Sequence, residues 1–236
     1  MVSRMDQIKK KNKKSREDYT EEAYMGIRQM FFRNEIIPGQ KIAYGDLARR
    51  LQMSTTPVIQ ALKRLEFQGL VRHEPNRGYY TEGISLKEIR EIYEFRQVIE
   101  LSLLPETIGR MTAGRMKILK KALDSHQKAV RDVYLKERLV KDMEFHLKLA
   151  ELSGCAIQLK TLRSLFDLLY LKYRGNILFV TPMDKVDSEH RQLCDRIFES
   201  DLPGARQVLE SHISNVKKHA LESISRLERE KRIQTI

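Results

Sequence analysis

Histidine is scarce in this chain, with six in 236 residues, and three of the six stand with one aspartate in a spacing that could hold a metal. Asp142 and His146 are four residues apart and share a face if their segment is helical. His190 and His212 lie eleven residues on either side of Asp201, where a helix start is expected. In an antiparallel helical hairpin, residues equidistant from the turn sit at one height, so these two imidazoles can face each other. If the helix with Asp142 packs alongside, three imidazoles and one carboxylate converge. That set suits a divalent ion, zinc first and nickel or manganese as alternatives, with positions left for water or a ligand carboxylate. Solvated or core-satisfied histidines remain the other reading, because Asp/His pairs at this spacing arise by chance. His73 and His126 have no partner pattern and read as surface residues.

A second group of residues could contact nucleic acid. If Val58, Ala61, Leu62 and Leu65 face a core, helical geometry puts Thr56, Ile59, Gln60 and Lys63 on the other side. Thr55 and Thr56 stand at the helix N-terminus, where hydroxyls and free N–H groups bond phosphate. Gln60 can pair with the N6/N7 edge of adenine, and Ile59 can pack on a thymine methyl. Lys63 and Arg64 suit the phosphate backbone, and Arg77 beside Gly78 can reach phosphate or a minor groove. Each residue taken alone would be an ordinary solvated position.

The elements that must position these residues are legible in outline. Ala23, Ile27, Met30 and Phe31 recur at helical spacing from Tyr19, and Pro38-Gly39 is a turn. A short helix is expected over 44–51. Ser54 is the expected N-cap of a third helix, with Pro57 in its first turn. Residues 70–73 and 79–81 read as strands around the turn Pro75–Gly78. Three helices and a hairpin form a winged helix over 17–82. Behind it, over 83–236, Ser85-Leu86-Lys87-Glu88 reads as a capping box, and six helices follow at 86–109, 113–132, 136–153, 156–174, 182–199 and 202–231. Gly109, Gly154 and Gly175 fall where helix C-caps belong. The fold class is therefore mainly α: an N-terminal winged helix-turn-helix and a C-terminal all-α bundle.

The net charge of +12 points to a polyanionic partner. Residues 1–16 hold seven Lys/Arg against one Asp and read as a disordered basic arm, whereas 17–82 hold nine against nine. Charge alone therefore does not make the winged helix a DNA reader, and a sequence-neutral DNA-compacting role fits poorly. Cys155 and Cys194 form no disulfide framework or thiolate zinc motif and read as reduced thiols. There is no signal peptide and no apolar run near the ~20 residues of a membrane span, so a cytoplasmic protein without membrane partners is expected. The chain has no His-Glu-x-x-His run and no Ser- or Cys-based nucleophile signature, which argues against a metal-dependent enzyme acting on a small carboxylate.

The run LARRLQMSTTPVIQALKRLEFQGLVRHEPNRGYYT resembles the winged helix-turn-helix of GntR-type bacterial regulators over about 19–82. Thr55 stands where such proteins commonly have Arg, Ile59-Gln60 replaces an Arg-Glu pair, and Gly45 occupies another frequent Arg position. The usual guanine-reading arginines are missing, so an operator read through A·T contacts and DNA shape is expected. Asp142-Met-Glu-Phe-His146, Leu152-Ser153-Gly154, Glu189-His190-Arg191 and His212-Ile213 resemble the FCD-type effector domain over about 86–222. Cys155 departs from the Asn often found there. This resemblance implies a divalent metal on Asp142, His146, His190 and His212, and a small organic acid effector. It places Arg96 in the effector pocket as a bidentate carboxylate clamp; a surface pair with Glu100 is the alternative. Asn176 is a weaker effector candidate, as are Arg174 and His219. A homodimeric regulator, a repressor in the first instance, on an imperfect palindrome of double-stranded DNA is expected. A pure metal sensor would share this fold.

Overall fold

A computed structural model describes residues 15–37, 39–83, 85–130, 135–173 and 183–233. The chain divides into two compact units between Glu82 and Gly83.

In the first unit, α1 (Arg16–Phe32) precedes β1 (Lys41–Ile42), α2 (Tyr44–Arg50), α3 (Thr55–Phe67), β2 (Val71–Glu74) and β3 (Gly78–Thr81). The helical spacing read from Tyr19 extends back to Arg16, because Ser15 and Asp18 cap each other's backbone N–H groups. The expected basic arm otherwise lies outside the described residues. Ala23 and Ile27 of α1 pack on Val58, Ala61, Leu62 and Leu65 of α3, all essentially inaccessible. At Gly26 the Leu51 side chain fills the space, its Cδ2 lying 2.5 Å from where a Cβ would stand, so a larger residue there must displace it. The three strands form an antiparallel sheet in the order β1-β3-β2, with Ile42 opposite Tyr79 and Val71 opposite Thr81. The hairpin matches expectation. β1 was not foreseen, since two residues carry no alternation to detect. The turn between β2 and β3 uses positive φ at Asn76 and Gly78.

Among the described residues the second unit has six helices: α4 (Leu86–Gly109), α5 (Ala113–Val130), α6 (Leu135–Ser153), α7 (Ala156–Tyr173), α8 (Met183–Phe198) and α9 (Leu202–Ile233). The architecture is thus mainly α, with a small sheet confined to the first unit. Helix α4 packs on α9, α6 and α7, while α5 lies on α6 and α8. Leu103, Leu104, Phe145, Leu162, Phe166, Leu193 and Ile213 are buried at the centre. The capping box expected at Ser85 is half formed. Ser85 Oγ accepts from Glu88 N, but the Glu88 carboxylate instead accepts from Lys172 Nζ of α7 at 2.6 Å. Gly154 ends α6 at φ +76°, with the Arg110 guanidinium where a Cβ would point. Gly109 belongs to α4 itself, and Gly175 falls outside the described residues. Asp201 Oδ1 accepts from Gly204 N and starts α9.

Candidate metal centre and DNA-reading helix

One turn of α6 carries Asp142 and His146, and the α8–α9 hairpin brings His190 and His212 opposite them. All four are buried, and one ligand atom from each lies within 4.8 Å of all the others. His190 Nε2 is 3.1 Å from His146 Nε2, 3.2 Å from His212 Nε2 and 3.4 Å from Asp142 Oδ1. His146 Nε2 is 3.8 Å from the same oxygen.

The outer nitrogens decide what these inner atoms are. His146 Nδ1 donates to Glu100 Oε2 at 2.6 Å, and His212 Nδ1 donates to Glu189 Oε2 at 2.9 Å. In the neutral rings both Nε2 atoms then carry lone pairs aimed at His190. Burial lowers the pKa of His146 and lowers that of His190 well below its usual value, which favours neutral imidazoles. One N–H on His190 can satisfy only one of the two lone pairs facing it. His190 Nδ1 is buried with no hydrogen bond. The cluster is therefore short of positive charge at its centre, and a cation relieves the shortfall. The three separations from His190 Nε2, 3.1, 3.2 and 3.4 Å, are what bonds of about 2.0–2.1 Å require at octahedral to tetrahedral angles, while the 3.8 Å between His146 Nε2 and Asp142 Oδ1 requires a wider angle. The residues present fit a divalent ion.

The surrounding groups orient the set. Glu100 of α4 is fully buried between His146 and Arg96, whose Nε donates to Glu100 Oε1. Burial alone would raise the Glu100 carboxyl, but Arg96 and His146 hold it down at about 2. Burial would likewise raise the Asp142 carboxyl, but His146, Arg96, His212 and His126 lower it. Asn215 Nδ2 donates to the second oxygen of Glu189 at 2.7 Å. Carboxylates behind metal-binding imidazoles fix the tautomer and ring orientation.

Two readings of these neighbours change. The Arg96–Glu100 pair exists, but in the interior and not on a helix surface. Arg96 is 1% exposed, its guanidinium lies 4.7 Å from the centre of the Phe166 ring, and its Nη2 has no hydrogen bond. His126, expected on the surface, is also 1% exposed and stands edge-on to His190 at 4.5 Å between ring centres. The signal was present: Leu119, Leu123 and His126 follow helical spacing along one buried face of α5. Asn176 and Arg174 lie outside the described residues, while His219 is paired with Glu222 at 3.7 Å. His73 is exposed, as expected, against Tyr79.

On α3, Thr55, Thr56, Gln60, Lys63 and Arg64 are exposed and Ile59 is half-buried, opposite the packed face. Ser54 holds the N-cap position without a side-chain cap bond. The first turn of α3 lies beside Arg16 and Tyr19 of α1 in a shallow groove. Arg64 turns back to α1, where it pairs with Glu21 and covers the Tyr24 ring at 3.8 Å. It braces the two helices, and that contact competes with the phosphate contact expected of it. Arg77 is exposed at the tip of the β2–β3 hairpin, 3.7 Å from Glu74.

Comparison with known proteins agrees with this division. Residues 19–80 match the model for bacterial regulatory proteins of the gntR family, and residues 91–215 match the FCD domain. The uncharacterized HTH-type transcriptional regulator YdhC of Bacillus subtilis is 23% identical, over 83% of this chain and 88% of its own. The HTH-type transcriptional repressor RspR of Escherichia coli is 21% identical, over 89% and 90%. The solved structure of E. coli McbR/YncC superposes with a TM-score of 0.76 over 87% of this chain and 98% of its own, at 18% identity, which speaks to the fold. The chain therefore belongs to the GntR family of bacterial regulatory proteins with an FCD domain and is a DNA-binding transcription regulator.

Proposed function

We propose that the DNA affinity of this regulator is set by a small organic acid bound at a divalent metal on Asp142, His146, His190 and His212. The observation that carries this is the pair of inward Nε2 atoms of His146 and His212, 3.1 and 3.2 Å from His190 Nε2, with their outer nitrogens already engaged by Glu100 and Glu189. Three imidazoles and one carboxylate favour zinc, with nickel or manganese as alternatives. A divalent ion supplies there a Lewis acid that attracts a carboxylate oxygen. Four protein donors leave exchangeable positions for it if the coordination number exceeds four. Arg96 Nη2, buried without a hydrogen bond, is a donor suited to a second carboxylate oxygen. We place the protein in the cytoplasm as a homodimer on an imperfect palindrome, with Thr55, Thr56, Ile59, Gln60, Lys63 and Arg77 toward DNA. Arg64 contributes there only if it leaves Glu21.

Metal content and thermal stability of wild type and His190→Ala, measured with and without a panel of organic acids, test the site. The expected result is about one ion per chain, lost in the variant, and a rise in melting temperature with particular acids in the wild type only, because a ligand of the folded state stabilises it. Metal without any acid response would favour the pure metal sensor. No metal would remove the mechanism and leave the DNA-binding assignment standing.

A further inference from the structure

His126 has no role in the four-residue set, yet it is the most anomalous polar side chain beside it. It comes from α5, a helix that supplies none of the four proposed ligands. Both of its ring nitrogens are buried without a hydrogen bond. A buried imidazole gives up its hydration on both nitrogens, and leaving them unsatisfied is costly. Nothing in the apolar packing of α5 requires a histidine, since Leu119 and Leu123 fill the neighbouring positions of the same face. Its placement points toward the metal set. Nε2 lies 3.9 Å from Asp142 Oδ1, about as far as His146 Nε2 at 3.8 Å, yet His126 is not among the four residues whose ligand atoms all lie within 4.8 Å of one another. The nitrogen borders the set without belonging to it.

We propose that His126 is a fifth functional member of this site: an N–H donor that hydrogen-bonds the carboxylate of an organic acid held at the metal. The proposal rests on the metal and acid reading above. As a neutral imidazole, His126 has one N–H and one lone pair, both unspent. Arg96 Nη2 is likewise buried and unsatisfied, and both Arg96 and His126 act electrostatically on Asp142. One offers a fixed cation and the other a neutral N–H. His126 thus selects for the acid, while the four ligands hold the metal without it.

The test uses the cobalt-loaded full-length protein with acetate as the probe carboxylate, and compares wild type, H126F and H126Q. H126F keeps a ring of similar size against His190 and removes both nitrogens. H126Q restores an N–H donor. Visible absorption reports the cobalt environment, and thermal shift reports folding and acetate binding independently. All three proteins should bind about one cobalt per chain with alike acetate-free spectra. Acetate should bind H126F about tenfold or more weakly, as expected for a lost hydrogen bond to a charged group, with part of the affinity regained in H126Q. Acetate binding by H126F at wild-type strength would overturn the proposal while leaving the metal and acid reading intact. An altered acetate-free spectrum or lost cobalt in a folded H126F would overturn it too, by making His126 a metal ligand. Wild type that binds cobalt and ignores acetate overturns the proposal and the acid reading together, and wild type that takes up no cobalt overturns the metal reading with them. Should H126F fail to fold, H126A makes the same comparison.

Discussion

Glu100 is the residue on which the buried cluster turns. It separates a permanent cation, Arg96, from an imidazole whose other nitrogen faces the proposed metal. Glu100→Ala leaves the Arg96 guanidinium buried without its counter-charge, which should cost about 3–5 kcal/mol in a denaturant titration. The same change frees His146 Nδ1, and metal affinity should fall about 10–100-fold. The pH dependence has a definite sign. The folded carboxyl is depressed from its ordinary 4.5 to about 2, so its stabilisation is complete above pH 4.5 and is lost as pH falls toward 2. The stability gap between wild type and Glu100→Ala should therefore narrow across that window; a gap constant from pH 5 to pH 2 would contradict the assignment. The Asp142–His146 spacing and the equal offsets of His190 and His212 from Asp201 were legible in the sequence. The part played by Glu100 was not, because an Arg/Glu pair four residues apart looks the same on a solvated helix as in a core. Only the packing of α4 against α6 turns Glu100 toward His146.

At the scale of the element, α3 separates reading from bracing. Its inward residues were fixed by periodicity, and its outward face of Thr56, Gln60 and Lys63 follows from the same geometry. Arg64 escaped that reading, since helical phase gives a direction but does not name a partner such as Tyr24 on another helix. The two kinds of contact on this face separate experimentally. Gln60→Ala should cost about 1–3 kcal/mol at one A·T pair and relax the preference there. Lys63→Ala should weaken binding evenly across sequences and lower the salt slope by about one. Binding assays on matched and singly substituted sites check both, and a uniform loss for Gln60→Ala would show that it contacts the backbone. Element ends were less legible than element interiors. β1 is too short to show alternation, and the Ser85 box lost its second half to Lys172, a partner 84 residues away.

At the scale of the molecule, the division between Glu82 and Gly83 falls where the composition turns from hairpin to helix. Among the described residues no helix is long and apolar enough to cross a membrane. Helix α4 begins at Leu86, just after this division, and carries Arg96 and Glu100 into the cluster. An effector can shift DNA affinity only by as much as its contacts differ between the two states. The operator itself must come from selection on random DNA, where enrichment of A·T-rich half-sites is expected. The most direct measurement is the affinity of the metal-loaded protein for that selected site, with and without the acid that raises its melting temperature, in wild type and His190→Ala. The account predicts an affinity change of about 5–150-fold in the wild type and none in the variant. Equal affinity with and without the acid in the metal-loaded wild type would contradict it.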